Sequence, residues 1–492
     1  MKKDNRLPKD WNVSPLKELC HRLIDGSHLP PPKQDAGFPM LSAKNVENGR
    51  ITFDGRLITE EAFKQEDARA KIRPGDVLLT IVGTIGRTAV VPDGCLPFTL
   101  QRSVAVIKPK EMIPTFLMYQ FQAEHVQRDL LSRARGTAQM GIYLKSLGEI
   151  AIHVPPPDQQ LRIVAKIEEL FSDLDAGVAA LKRAKANLKR YRAAVLKAAV
   201  EGKLTQQWRA DHPDTEPAEA LLARILTQRR QHWEQDQLAR YTAKGKQPPK
   251  GWKDKYKEPA KPDTSELSEL PKGWCWASMD QVGDVQLGRQ RSPKHHDGPD
   301  MRPYLRVANV FEDRIDISDV MQMNFTPDEF ERYRLGYGDI LLNEGQSMEL
   351  IGRPAMYRDE VPGACFTNTL VRFRPVNGVD GAYALRVFLA YLKNGRFQKI
   401  ATITVNIAHL GAGRFAVLEF PLPPVEEQIQ IVAEVAAILS KIDAAATAIG
   451  NGLRRAARLR QSILKRAFEG DLVRQDSSTD GKTNRRPEGV GT

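Results

Sequence analysis

From Gln159 onward, apolar side chains fall at Leu161, Val164, Ile167, Phe171, Leu174, Val178, Leu181, Leu188 and Val195. Steps of three and four residues place them on one stripe of a helix, and the run from Leu174 to Val195 recurs every seven residues. The pattern returns at Ile429, Val432, Val435, Leu439, Ile442, Ile449, Leu453, Leu459 and Ile463. About 40 residues of helix span roughly 60 Å. Gly202 and Gly470 stand where such helices should stop. A stripe this long needs a partner. An ordinary bundle is one reading, but no other long periodic segment is present to complete it. The pattern therefore predicts that the two helices pack on each other as an antiparallel rod, with one mixed domain at each end.

The ends of these helices reveal a duplication. Leu196–Leu204 reads LKAAVEGKL and Leu464–Leu472 reads LKRAFEGDL, identical at six of nine positions and 268 residues apart. Further upstream, Leu7-Pro8-Lys9-Asp10-Trp11 matches Leu270-Pro271-Lys272-Gly273-Trp274, and LSAKNV from Leu41 matches LRVANV from Leu305. Pro74–Leu79 (PGDVLL) answers Tyr337–Leu342 (YGDILL), and Ile85–Ala89 (IGRTA) answers Ile351–Ala355 (IGRPA). A Gly-Asp turn before an apolar β-branched run reads as a turn feeding a buried strand. The offset drifts from 263 to 268 between blocks, so small insertions separate them, as in surface loops. Each copy thus predicts a mixed domain of short strands with helices at Thr115–Ser132 and at Gly381–Gln398. Proline clusters at 155–157 and 421–424 close the two domains.

The predicted fold class is α+β: a tandem repeat of a mixed α/β domain followed by a long spacer helix, the two spacers forming an antiparallel coiled coil. The boundaries read as domain 1 over 1–157, spacer 158–205, linker 206–269, domain 2 over 270–424, spacer 425–475 and a disordered tail 476–492. The linker has no counterpart after the second copy. It carries an amphipathic helix over Pro217–Leu238 and then KGKQPPKGWKDKYKEPAKPD from Lys244, a composition that predicts an extended, solvated strap.

Composition adds limits. Among 492 residues, 41% are hydrophobic, and no run approaches the ~18–20 apolar residues of a membrane span. The charged N-terminus has no apolar stretch and reads as lacking a signal peptide, which places the chain in the cytoplasm. Cys20, Cys95, Cys275 and Cys365 are isolated, which fits a reducing compartment and argues against a structural zinc site. A net charge of +12 suits a polyanionic partner.

Several chemistries have no motif. There is no Walker loop for ATP, no aromatic-flanked Pro-Pro tetrad to hold a flipped base, and no Gly-rich loop for a methionine-derived cofactor. The pair His295-His296 has no accompanying ligand set and reads as a polar loop. No catalytic or metal residues are therefore assigned. What the chain does offer are side chains suited to base edges. Arg133, Arg135, Thr137 and Gln139 lie late in the first domain, and Thr402, Thr404, Asn406 and His409 late in the second. Arg pairs with guanine in two-pronged fashion, and Gln or Asn with adenine, at ~1–3 kcal/mol of discrimination each. Lys44 and Asn45, with Arg306 and Asn309, are candidates of the same kind. Arg87 and Arg353 follow glycines in turns and read either as phosphate or base contacts or as solvated turn residues.

With its motifs in this duplicated order, the chain resembles the specificity (S) subunit of type I restriction–modification systems. The resemblance rests on LPKDW/LPKGW, PGDVLL/YGDILL, IGRTA/IGRPA, the helix starts PPPDQQLRIVAKI and PPVEEQIQIVAEV, and above all LKAAVEGKL/LKRAFEGDL. It covers nearly the whole chain except the 206–269 linker and the tail. It implies two target-recognition domains reading the halves of a bipartite, asymmetric site in double-stranded DNA. It further implies helical spacers that set half-site spacing and dock two methyltransferase (M) subunits, with translocase–nuclease (R) subunits joining the complex. Such a subunit is not an enzyme. S-adenosylmethionine, ATP and Mg are expected on its partners and no cofactor on this chain. Two rival readings are a self-sufficient methyltransferase or nuclease with recognition repeats, and a scaffold that binds only protein.

Overall fold

The computed structural model describes residues 7–47, 49–136 and 139–473. The chain divides into two compact units, residues 1–183 with 449–492, and residues 184–448. Each contains one mixed domain and a part of each long helix.

The two domains are built alike. In the first, an antiparallel sheet runs in the order Cys20–Asp25, Val104–Pro109, Val77–Thr80, Thr88–Val90. In the second the order is Gly283–Leu287, Leu370–Pro375, Ile340–Asn343, Pro354–Met356. A second sheet in each has one parallel pair, Phe38–Leu41 beside Thr99–Leu100 and Met301–Leu305 beside Cys365–Phe366. A two-stranded ribbon ties the start of each domain to its end, Asn12–Pro15 with Ala151–Val154 and Cys275–Ser278 with Glu419–Leu422.

The repeated Gly-Asp turns explain themselves. Gly75 and Gly338 adopt φ of +86° and +89°, a region open to glycine. The following aspartates are buried, and each closes its turn by accepting a backbone N–H, Arg73 to Asp76 and Gly336 to Asp339, both at 2.8 Å. Each then meets a cation from the neighbouring strand, Lys108 at 2.5 Å and Arg374 at 2.6 Å. Buried in this way, the carboxylates keep partners that satisfy their charge. The strands they feed, Val77–Thr80 and Ile340–Asn343, are buried along their whole length.

The helix expected over Thr115–Ser132 is two helices, Pro114–Gln122 and Glu124–Arg133, broken at Ala123 with ψ of 141°. The Phe121 carbonyl near the break accepts Gln127 Nε2 at 2.5 Å, so a side chain repays a lost helical bond. The region expected over Gly381–Gln398 is likewise two helices, Gly381–Asn394 and Arg396–Ile400, with left-handed Gly395 between them.

The long helices are Pro157–Val200 and Val425–Phe468, 44 residues each. Pro157 sits at the first helical position, where its missing N–H costs nothing. In the first unit Asp175 accepts from Arg460 at 2.7 Å, and Leu181 fills the space a side chain at Gly452 would need. The Arg460 guanidinium also lies 3.8 Å from the Phe171 ring centroid. In the second unit Arg192 pairs with Asp443, while Thr205, just past the first helix, bonds Glu427 near the start of the second. Residue numbers rise along one helix as they fall along the other, so the packing is antiparallel. Arg192/Asp443 and Arg460/Asp175 are the same two repeat positions with the helices exchanged.

The exchange extends to the helix ends. Gly470, which ends the second copy, lies on Pro8 of the first opening, and Gly202, which ends the first, lies on Pro271 of the second. Both glycines are left-handed, at φ +84° and +66°. The tryptophans of the openings are held by the adjoining helix starts: Trp11 Nε1 donates to Gln159 at 2.9 Å, and Trp274 Nε1 to Glu427 at 2.8 Å. Gln160 and Gln428 are a matched pair one position later, each accepting a domain N–H (Ile113 at 2.9 Å, Asp380 at 2.7 Å) and donating to a carbonyl of its own proline cluster at 3.0 Å. No described helix is long and apolar enough to cross a membrane.

Candidate nucleic-acid interface

In both domains the same bonds build one loop frame. Thr80 N–H donates to the Arg87 carbonyl and Gly86 N–H to the Thr80 carbonyl, at 2.8 and 2.9 Å. In the second domain Asn343 N–H donates to the Arg353 carbonyl and Gly352 N–H to the Asn343 carbonyl, at 3.2 and 2.9 Å. The loop that each frame closes is longer in the second domain. On each frame lies a second, later segment, and it carries most of the candidate base-reading side chains.

In the first domain that segment is Arg135–Gly141. Arg135 and Gly141 exchange backbone hydrogen bonds at 2.7 and 2.8 Å, and Gly83 N–H donates to the Met140 carbonyl at 2.9 Å. Arg135, Gln139 and Met140 are exposed on this lobe, with the Gln139 amide over Gly83. Arg87, at the base of the same frame, is half-buried. Thr137 lies outside the described residues. Arg133 pairs with Asp129 at 2.8 Å, and that bond raises its pKa further above the usual guanidinium value.

In the second domain the segment is a β-hairpin. Thr402–Thr404 pairs with Ile407–His409, which also pairs with Gly345–Gln346 of the frame loop. Val405 and Asn406 form the two-residue turn with φ of +45° and +68°. Two left-handed turn residues match the twist of a tight hairpin, but a β-branched residue at φ > 0 is strained. The hairpin is anchored at its base. Glu344 faces His409 Nδ1 at 2.9 Å, and Arg414 Nη2 donates to Thr402 Oγ1 at 3.1 Å and to the His409 carbonyl at 2.8 Å. Thr402, Thr404 and Asn406 are exposed, and His409 is half-buried. A two-stranded ribbon of this kind fits the major groove of B-DNA.

The pairs from the earlier turn behave differently within themselves. Asn45 is buried. Its Oδ1 accepts the Ser42 N–H at 2.9 Å and its Nδ2 donates to Asp54 at 2.8 Å. Asn309 is buried too, accepting from Arg306 N–H at 3.0 Å and donating to the carbonyls of Asp316 and Asp319, both at 2.9 Å. Both amides are engaged in holding a turn. Lys44 is exposed, while Arg306 is half-buried and paired with Asp319. Arg353 lies 4.8 Å from the Phe311 ring centroid with Arg314 at 4.6 Å from the same ring, and burial lowers the pKa of Arg353. The Arg353 Nε is buried without a hydrogen-bond partner among the described residues.

Residue-type reasoning missed the apolar part of the hairpin. Ile403, Val405 and Ile407 are 65%, 92% and 48% exposed. The alternation in Thr402–Ile407 was readable as a strand, but not the fact that water faces both sides of it. Among the described residues no group of three or more His, Cys, Asp or Glu is placed to hold a metal ion.

A family model described as the type I restriction modification DNA specificity domain matches residues 8–185 and 271–457. The chain is 23% identical over 484 residues to the specificity subunit of the type I restriction enzyme EcoKI of Escherichia coli K12, covering 96% of this chain and 91% of that one. It is 24% identical over 488 residues to the StySPI specificity subunit of Salmonella potsdam, with 96% and 91% covered. Among solved structures it is similar to a chain from work on complex assembly and conformational transition of the type I R-M system. There the TM-score is 0.57 at 19% identity, with 95% of this chain and 99% of that chain covered, a likeness of fold.

Proposed function

The chain belongs to the family of type I restriction modification DNA specificity domains, and on that footing we propose that it is the subunit that chooses the DNA sequence for a type I restriction–modification complex. Each mixed domain reads one half of a bipartite, asymmetric site. The first uses the lobe around Arg135 and Gln139 with Arg87. The second uses the Thr402–His409 hairpin with Thr404 and Asn406. The paired long helices set the distance between half-sites and dock two methyltransferase subunits, through which restriction subunits join. The chain itself carries no catalysis and binds no cofactor; S-adenosylmethionine, ATP and Mg act on its partners.

One observation supports this reading most. A shared hydrogen-bonded frame carries unlike outer segments in the two copies, a compact lobe in one and an anchored hairpin in the other. Scaffolds kept alike while their outer loops differ are suited to reading two different short sequences. The test is methylation mapping with the chain reconstituted with its methyltransferase subunits. Replacing Thr402, Thr404 and Asn406 together by Ala should alter one half of the methylated motif and leave the other half unchanged. Methyl transfer by the purified chain alone, or an alteration of both halves, would overturn the proposal.

A further inference from the structure

The linker between the copies is an ordered basic arm. Its helix, Ala218–Ala243, begins inside the second unit, where Ala218, Leu221 and Ile225 are buried. Leu221 and Ile225 lie over Gly378, and Arg229 donates to the Gly283 carbonyl at 3.2 Å. Beyond Arg229 the helix has no further buried residue. Its company there is the segment 249–258, which folds back along it. Trp252 stacks on Trp233 with centroids 5.9 Å apart and meets Tyr241 at 6.5 Å, while Tyr256 packs on Trp233 at 5.4 Å. Lys253 pairs with Glu234 at 2.7 Å, and Arg230 with Glu258 at 3.6 Å. The expectation of an extended, solvated strap is changed over 249–258, which forms a clasp: four aromatic rings bury enough surface on each other to hold the return segment against the helix.

The clasp sorts the charges. Glu234 and Glu258 are taken by structural pairs, which leaves Asp236, facing His232, and Asp254 as exposed carboxylates against a larger number of cations. Arg240, Lys244, Lys246, Lys250, Lys255 and Lys257 remain exposed, and among the described residues none of them makes an ion pair. Most are lysines, compact and strongly hydrated charges that attract phosphate without the two-pronged fork that reads a base. Because the clasp has already ordered the arm, less entropy is lost when a polyanion binds. We propose that this arm binds the phosphate backbone of duplex DNA without sequence preference, adding affinity but no base choice. The proposal rests on the reading of the chain as a duplex-binding subunit.

The test uses the full chain assembled with its methyltransferase subunits and a random-sequence DNA duplex, titrated at several salt concentrations. The variant carries Lys244→Gln, Lys246→Gln, Lys250→Gln and Lys255→Gln together, with the four Lys→Arg changes as a charge-preserving control. Each lost phosphate contact should flatten the plot of log K against log salt by about 0.9. The Gln variant is therefore expected to lose about 2–4 from the slope and at least tenfold in affinity near 0.1 M salt. The Arg control should match the wild type, and the set of methylated genomic sites should not change. An unchanged slope and affinity would overturn the proposal while leaving the recognition reading intact. So would loss of methyltransferase subunits from the Gln variant at unchanged slope, which would assign the arm to an acidic protein face. Failure of the wild-type assembly to bind any duplex would overturn both.

Discussion

Replacing Glu427 tests how the second unit is held together. Its carboxylate is fully buried and receives three donors from two separate segments: Thr205 Oγ1 at 2.6 Å and the Arg209 guanidinium from one, and Trp274 Nε1 at 2.8 Å from the other. Arg209 is itself largely buried and also donates to the Gly202 carbonyl at 2.6 Å. Glu427→Ala strands all three donors and leaves a guanidinium without its counter-charge, which should cost about 3–5 kcal/mol. At roughly 2–4 °C per kcal/mol for a unit of this size, Tm falls by about 6–20 °C. Glu427→Gln is a sharper probe, because the equivalent position in the first unit is already a glutamine. Gln159 accepts from Trp11 with its oxygen and donates from its amide to Asp10. At 427 the amide instead points a donor at other donors, so Glu427→Gln should cost about 1–3 kcal/mol. Adding Arg209→Leu should recover part of that loss, with a coupling energy of about 0.5–3 kcal/mol. Denaturant titration followed by circular dichroism reads wild type, Glu427→Ala, Glu427→Gln, Arg209→Leu and the Glu427→Gln/Arg209→Leu double variant. Glu427→Ala within about 0.5 kcal/mol of wild type, or Glu427→Gln as damaging as Glu427→Ala, would refute the reasoning.

Three further outcomes follow from other sites. Gly470→Ala puts a Cβ 2.3 Å from Pro8 Cγ on a left-handed residue, so it should destabilise the first unit by about 2–4 kcal/mol in a chemical melt; a neutral result would mean the contact is not tight. Val405→Gly relieves strain at a residue 92% exposed, and should raise stability by about 1 kcal/mol while changing the methylated motif in one half only. His125 stacks on His153, and burial, then the neighbouring imidazole, pushes its pKa down to about 4. The unfolded chain binds that proton near pH 6.5, so stability of the first unit should fall as pH drops from about 6.5 towards 4, on the order of 1–2 kcal/mol after allowing for partial solvent access. His125→Phe should flatten that part of the stability–pH curve, and an unchanged slope would discard the assignment.

Much of the architecture was written in the sequence because periodicity and duplication are local signals. The stripe from Leu161 to Val195 and its copy define two long helices that pair antiparallel, as the Asp175–Arg460 and Arg192–Asp443 contacts display. Glycines 202 and 470 were legible as helix ends, but their tight seats on Pro271 and Pro8 depend on residues far away in sequence. The break at Ala123 carries no Gly or Pro, and the Gln127 amide that bonds the freed Phe121 carbonyl is a side-chain contact that apolar periodicity does not register. Asn45 and Asn309 had the right chemistry for bases, yet whether an amide faces inward is decided by Asp54 or by the Asp316 and Asp319 carbonyls. The fold-back of 249–258 was not legible because its aromatic clasp joins Trp233 and Trp252 across a proline-rich bend that composition alone describes as open chain.

The crossed seating of the helix ends has a consequence for ancestry. The first unit is finished by Ile463, Leu464 and Phe468, which belong to the second copy, and the second by Leu196 and Ala199 of the first. A polypeptide carrying a single copy would own both the socket and the plug but could not insert one into the other. Two such polypeptides would complete each other, and their identical heads would be confined to palindromes. Joining them in one gene is what lets either head drift to a new sequence without forcing the other to follow.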